Sequence, residues 1–218
     1  PMVRVKICGI TTWPDARAAC DAGAAALGFN FYAPSPRAIP PAAAWKILRR
    51  LPPFVEPVGV FVNWTPGAVL SLADALQLTS VQLHGEETPR DVAACARRRR
   101  VIKAFGVGSG FSLAALRRYS AAAAFLLDAA RAGQYGGTGQ TTDWALAGQA
   151  ARSRRIILAG GLTPENVAEA IRRVRPYAVD VASGVESRPG RKDPGKLRAF
   201  FAEVQRASRE LAAKTEKR

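Results

Sequence analysis

Arg155-Ile-Ile-Leu-Ala-Gly160 runs into Gly161-Leu-Thr-Pro-Glu-Asn166 and then into Val167-Ala-Glu-Ala-Ile-Arg-Arg-Val174. The first six residues form a short apolar, β-branched run closing on glycine, the size of a buried strand in a parallel sheet. Thr163 before Pro164 supplies an N-cap with proline at the first helical position, so a helix is expected over Pro164–Val174 with Pro176 as its stop. Strand, glycine turn and helix together make one β/α unit.

The same unit recurs along the chain. Strand-like runs lie at Val3–Cys8, Ala26–Phe31, Pro57–Val62, Ser80–His84, Val101–Gly106, Ala124–Asp128, Arg155–Gly160 and Ala178–Ser183. Helices are expected between and after them, at Asp15–Asp21, Pro41–Leu51, Thr65–Leu76, Pro89–Arg99, Ser112–Tyr119, Asp143–Arg152, Pro164–Val174 and Pro194–Leu211. Thr65-Pro66, Thr88-Pro89 and Asp193-Pro194 repeat the start signal, and Gly23 marks a stop. Strands alternating with helices point to a parallel α/β protein. A doubly wound open sheet usually has about five or six strands and would leave units over, whereas eight units close into a (β/α)8 TIM barrel. No linker or composition shift divides the chain, so residues 1–218 read as a single barrel domain with 212–218 as a frayed charged tail.

Composition bounds the partners. Hydrophobic residues make up 48 % of the 218 and charged ones 22 %, which supplies a core and excludes a disordered or fibrous chain. The formal net charge is +15, from 32 Lys+Arg against 17 Asp+Glu, and it suggests anionic partners. Only 7 of the 32 are lysines, leaving 25 arginines, and alanine is abundant, a usage that looks like codon bias. No aromatic residues interleave with Arg97–Arg100 or the other basic clusters as a single-strand groove requires, which argues against nucleic acid. Cys8, Cys20 and Cys95 are odd in number with no paired spacing, which fits free thiols and a cytoplasmic location. No secretory signal and no membrane-length apolar run is read in the chain.

In such a barrel the chemistry collects at the C-terminal strand ends. Those ends carry Cys8, Asn30, Asn63, His84, Asp128 and Asp180. Gly160 and Gly161 follow the seventh strand, and Ser183 and Gly184 the eighth. Glycines let backbone N–H groups approach an anion, and a short helix after strand eight would add its positive end. Two such loops on consecutive final strands favour a phosphate site over mere tight turns. Gly136, Gly137, Thr138 and Gly139, after strand six, suit a lid that closes over substrate. His84 is the only histidine, which argues against a His-based metal site and against any triad built elsewhere.

Taken in order, Lys6-Ile-Cys-Gly-Ile-Thr11, Gly28-Phe-Asn-Phe31, Ser35-Pro-Arg37, Gly59-Val-Phe-Val-Asn63, Gln82-Leu-His-Gly85, Leu127-Asp128, Gly136-Gly-Thr-Gly139 with Asp143-Trp144, Ala159–Asn166 and Val179-Asp-Val-Ala-Ser-Gly-Val-Glu186 resemble the phosphoribosylanthranilate isomerases of tryptophan biosynthesis. The resemblance runs from about residue 3 to residue 200. Thr142 departs from it, standing where the family usually has an aromatic residue. The resemblance implies an Amadori rearrangement of N-(5′-phosphoribosyl)anthranilate to 1-(2-carboxyphenylamino)-1-deoxyribulose 5-phosphate, with no metal and no organic cofactor. It implies Asp128 as general acid and Cys8 as general base. The substrate would be one small molecule carrying a phosphate and a carboxylate, and the enzyme a monomer or homodimer.

The residues agree with those roles. An aspartate that acts as an acid near neutrality must hold its proton, and ending the apolar run Phe125-Leu-Leu-Asp128 is a way to achieve this. A thiol that acts as a base needs nearby positive charge. Lys6 shares the face of Cys8 by strand alternation, and either supplies that field or simply packs there. Cys20 and Cys95 read as small buried apolar residues. His84 either lines the pocket or makes a structural hydrogen bond, and Asp180 either orients substrate hydroxyls or organises the phosphate loop. Arg37 is one of many surface-type arginines, yet its Pro-flanked loop and the need to hold a carboxylate bidentately favour substrate binding. Two neighbouring activities compete. A sugar-phosphate isomerase of histidine biosynthesis would resemble an aspartate pair at strands one and six, where Cys8 replaces the first. Indole-glycerol-phosphate synthase would need a Lys and a Glu at inner strand ends; Lys6 and Lys103 are present but the companion carboxylate is not.

Overall fold

Eight strands pair in parallel, each with its sequence neighbour, and the eighth closes on the first. The structure, a computed structural model, describes residues 2–107, 111–129 and 143–216. In order along the chain the elements are β1 (Arg4–Cys8), α1 (Trp13–Asp21), β2 (Ala26–Asn30), α2 (Pro41–Leu48), β3 (Glu56–Phe61), α3 (Pro66–Ala75), β4 (Ser80–Leu83), α4 (Pro89–Ala96), β5 (Arg100–Val107), α5 (Leu113–Arg118), β6 (Ala124–Ala129), α6 (Trp144–Ala151), β7 (Ile156–Leu158), α7 (Val167–Val174), β8 (Ala178–Val181) and α8 (Pro194–Glu216). The barrel is the fold the repeated β/α unit requires, because each strand needs cover on both faces. The expected lid residues Gly136, Gly137, Thr138 and Gly139, and Thr142, lie outside the described residues.

Alternation along each strand divides the core in two. Outward residues such as Val5, Ile7, Leu27 and Phe29 are buried under the helices in one large cluster. Inward residues Ala104, Ala124, Leu126, Ile157, Ala159 and Ala178 fill the barrel itself. Four of these six are alanines, which suits a narrow interior where facing side chains must share the axis.

Helix starts follow the sequence signals in most places. Thr65 and Thr88 accept from the N–H groups of Ala68 and Asp91, and Thr88 with Asp91 forms a full capping box. The seventh unit differs from expectation. Gly160 and Gly161 have φ of 86° and 62°, so β7 ends at Leu158. Thr163 does not cap α7. Instead Asn166 folds back, its Oδ1 accepting from the Thr163 N–H at 2.9 Å and its Nδ2 donating to the Gly161 carbonyl at 2.8 Å. The helix therefore begins at Val167, after a turn that fixes the glycine pair.

Two further differences concern the C-terminal part. The short helix expected directly after β8 is a single 3-10 turn at Ser183–Val185, and it leads into a hairpin of β9 (Glu186–Arg188) and β10 (Arg191–Lys192) joined by Pro189-Gly190 before α8 begins. Helix α8 continues past Leu211 to Glu216, through the segment expected to fray. Ala212 and Ala213 are strong helix formers, and no glycine or proline interrupts them.

Candidate active site

The C-terminal strand ends enclose a cavity of about 390 Å3. On its floor and walls stand Cys8 of β1, Gln82 and His84 at the end of β4, Asp128 of β6 and Asp180 of β8. Arg37 reaches it from the loop after β2, and Gly160, Gly161 and Ser183 line it from the loops after β7 and β8. Thus the expected residues of catalysis, carboxylate binding and phosphate binding share one space, with Gly184 as the exception.

Gly184 stands behind the wall. A Cβ there would fall 1.9 Å from the Leu162 carbonyl oxygen, so only glycine lets the β8 loop press against the β7 loop. It joins the two loops rather than facing the cavity.

Cys8 owes its place to register. It lies opposite Gly28 on β2, where a Cβ would sit 2.7 Å from Sγ and 3.1 Å from Lys6 Nζ. Lys6 in turn lies opposite Asp180 across the seam that closes the barrel, and its ammonium donates to Asp180 Oδ1 at 2.7 Å. Both side chains are buried. Burial pulls the Lys6 pKa down, but Asp180 and Cys8 more than reverse this, and it stands raised from 10.5 to about 12. The Cys8 thiol is pushed up by burial; Lys6 and Lys192 pull it down, Asp180 pushes it up again, and the result lies above the ordinary range. Lys6 is therefore the positive neighbour of the thiol, with its charge largely committed to Asp180.

His84 is held between two neighbours. Its Nδ1 lies 2.7 Å from Gln82 Nε2, and its Nε2 lies 3.6 Å from Asp128 Oδ2. A Gln82 amide donating to Nδ1 would leave the ring proton on Nε2, the nitrogen nearer Asp128. His84 thus lines the cavity and is also in contact with Gln82. Gln82, fully buried and with its Oε1 unpartnered, was not among the expected site residues. Its position two residues before His84, on the same strand face, is the signal that points to it.

Arg37 is held more tightly than its sequence suggests. Ser35 Oγ accepts from the Arg37 N–H at 3.2 Å and sets the loop. The guanidinium then grips Glu186 through Nε, at 2.9 and 3.2 Å, and Nη2, at 2.7 Å. Asn30 lines the cavity, but its Oδ1 is taken by the Tyr32 N–H at 2.9 Å. Asn63 does not reach the site; it has φ of 56° and its Oδ1 accepts from the Glu86 N–H at 2.7 Å, tying the β3 and β4 loops. Lys103 is consumed in the same way. Its ammonium donates to Glu87 at 2.9 Å and to the carbonyls of Gly85 and Leu83 at 2.7 and 3.3 Å, wholly buried and away from the cavity. That takes Lys103 out of an indole-glycerol-phosphate synthase reading, and the other lysine of that reading, Lys6, is paired with Asp180. Among the described residues no cluster of His, Cys, Asp and Glu stands ready to hold a metal ion.

Comparison with known proteins agrees with this geometry. The family model described as N-(5′phosphoribosyl)anthranilate (PRA) isomerase matches residues 5–203. A curated N-(5′-phosphoribosyl)anthranilate isomerase from Citrifermentans bemidjiense is 55% identical over 206 residues, covering 94% of this chain and 98% of its own. The crystal structure of phosphoribosyl anthranilate isomerase from Thermotoga maritima superposes with a TM-score of 0.87 at 45% identity, covering 94% of this chain and 99% of its own. A phosphoribosyl anthranilate isomerase in complex with reduced 1-(o-carboxyphenylamino)-1-deoxyribulose 5-phosphate matches with a TM-score of 0.84 at 44% identity, over 94% of this chain and 99% of its own. Barrel, strand-end residues and relatives converge, and the chain belongs to the N-(5′-phosphoribosyl)anthranilate isomerases, the aldose–ketose isomerases of tryptophan biosynthesis.

Proposed function

We propose that the isomerisation runs through Asp128 as general acid and Cys8 as general base, on a substrate held by its carboxylate at Arg37 and by its phosphate at Gly160, Gly161 and Ser183. The observation that carries this reading is the shared cavity, whose lining includes Cys8 and Asp128 together with Arg37, Gly160, Gly161 and Ser183. Asp128 gives its proton to the furanose oxygen, the bond from C1′ to that oxygen breaks, and the anthranilate nitrogen carries the positive charge of the resulting Schiff base. Cys8, as thiolate, removes the C2′ proton, and the electron pair moves onto the nitrogen to give the enolamine. Loss of the 2′-hydroxyl proton and protonation at C1′ complete the ketone, with no net gain or loss of electrons. Neither step calls for a metal or an organic cofactor.

The raised pKa of Cys8 has a cost and a use. Fewer sites carry a thiolate near neutrality, but each thiolate is a stronger base. His84, whose Nε2 lies 3.6 Å from Asp128 Oδ2, is placed to stabilise the negative charge left on the carboxylate after proton transfer. Three unpaired cysteines and the small anionic substrate favour the cytoplasm, and no described helix is long and apolar enough to cross a membrane.

The test is turnover of N-(5′-phosphoribosyl)anthranilate, followed by its fluorescence, in Cys8→Ala and Asp128→Ala. Each should fall by about 10²–10⁴-fold while circular dichroism stays native. Near-full activity in Cys8→Ala would exclude it as the base.

A further inference from the structure

Glu186 closes the segment Ser183-Gly-Val-Glu186, and neither the acid–base pair nor the phosphate loops make use of it. Its side chain is buried and is the common acceptor of a web at the rim of the cavity. Oε1 accepts from Arg37 Nε at 2.9 Å, from Lys192 Nζ at 2.9 Å and from the Gly190 N–H at 3.3 Å. Oε2 accepts from Arg37 Nη2 at 2.7 Å and Nε at 3.2 Å. Burial by itself pushes this carboxyl up, but Arg37 and Lys192 overcome it and hold the group below its ordinary range. The web reaches further through Lys192, which donates to the Cys8 carbonyl at 2.6 Å and to the Ala182 carbonyl at 3.1 Å. Ala182 precedes Ser183, so one carboxylate ties together the arginine, the backbone of Cys8 and the start of the β8 loop.

Arg37 and Lys192 bring two positive charges to one negative Glu186. Lys192 is enclosed on all sides, its ammonium spent on Glu186 and two carbonyls. Arg37 lines the cavity, and its Nη1 stands outside the ion pair. A guanidinium fixed along one edge keeps its orientation before substrate arrives, and less rotamer entropy is lost on binding.

We propose that Glu186 is the positioning residue that gives this site its selectivity for a carboxylate-bearing substrate, by pinning Arg37 along one edge where it lines the cavity. This rests on Arg37 being the carboxylate-binding residue. The experiment compares kcat/KM for N-(5′-phosphoribosyl)anthranilate with that for the aniline analogue lacking the carboxylate, in wild type, Arg37→Ala, Glu186→Gln and Glu186→Asp. Glu186→Asp keeps a negative charge for Lys192 while withdrawing the carboxylate by one methylene, so it serves if Glu186→Gln does not fold. The preference for the carboxylated substrate should drop by about tenfold or more in the Glu186 variants, with KM moving more than kcat. A preference kept within about twofold in a folded Glu186 variant, while Arg37→Ala abolishes it, would overturn the role of Glu186 alone. A preference unchanged in Arg37→Ala would overturn both assignments.

Discussion

Replacing Asp180 with asparagine asks whether the barrel seam or the thiol is the main client of Lys6. The perturbation removes one charge from a buried pair whose N–O distance is 2.7 Å and changes no volume. In the native protein the Lys6 pKa is raised from 10.5 to about 12 in spite of burial. At about 1.4 kcal/mol per unit, that displacement amounts to roughly 2 kcal/mol in favour of the charged, paired state. Leaving a buried charge without its partner typically costs ~3–5 kcal/mol. The expected loss is therefore about 2–5 kcal/mol, or roughly 4–20 °C in Tm for a domain of this length. The sign with pH follows from the raised value. Lys6 stabilises the fold fully below its unfolded pKa and loses that contribution as pH rises through about 12, so the loss in Asp180→Asn is present at neutrality. Scanning calorimetry at pH 7 measures it. A second readout concerns Cys8, because Asp180 pushes the thiol up and Lys6 pulls it down. Alkylation of Cys8 at pH 8, resolved by peptide mass spectrometry, should quicken in the variant. Cys95, pushed up to about 11 mainly by burial, is an internal reference that should not change. A Tm within about 2 °C of wild type, or slower alkylation of Cys8, would refute the reasoning.

Two further perturbations probe the loops that frame the site. Lys103→Met strips Glu87 of its buried partner and the Leu83 and Gly85 carbonyls of their donor, so urea midpoints should fall by the equivalent of ~3–5 kcal/mol with an unchanged slope; less than about 1 kcal/mol would show the pair to be dispensable. Gly184→Ala drives a methyl into the Leu162 carbonyl and should separate the β7 and β8 loops. Inorganic phosphate should raise the Tm of the wild type and raise that of the variant markedly less; equal protection would remove these loops from phosphate binding.

The positions of Cys8, Asp128, Gly160 and Ser183 were legible because they close apolar runs, and a parallel barrel gathers such ends on one face. The family could be read from the same motifs. His84 was legible as a strand-end residue, but its partners were not, since Gln82 reads as an ordinary polar residue within a strand. Asn63 shows the opposite error: a strand-end amide that looks suited to a site serves the β3 and β4 loops instead, because its left-handed backbone turns it toward Glu86. The hairpin after β8 was also missed, being too short for any periodic pattern to reveal.

What the sequence determined by itself was local and repeated. Eight apolar runs with their glycine stops and Thr-Pro starts specify the β/α units, and that number specifies closure. What only the tertiary structure decided was which charges meet. Lys6 and Asp180 are 174 residues apart and face each other because the barrel closes in one register, with Lys6 opposite Asp180. Arg37 and Glu186, 149 residues apart, meet because the β2 and β8 loops rise on either side of β1. Periodicity fixes the face on which a residue lies, but the partner on that face follows from strand register and loop path, which no local pattern contains.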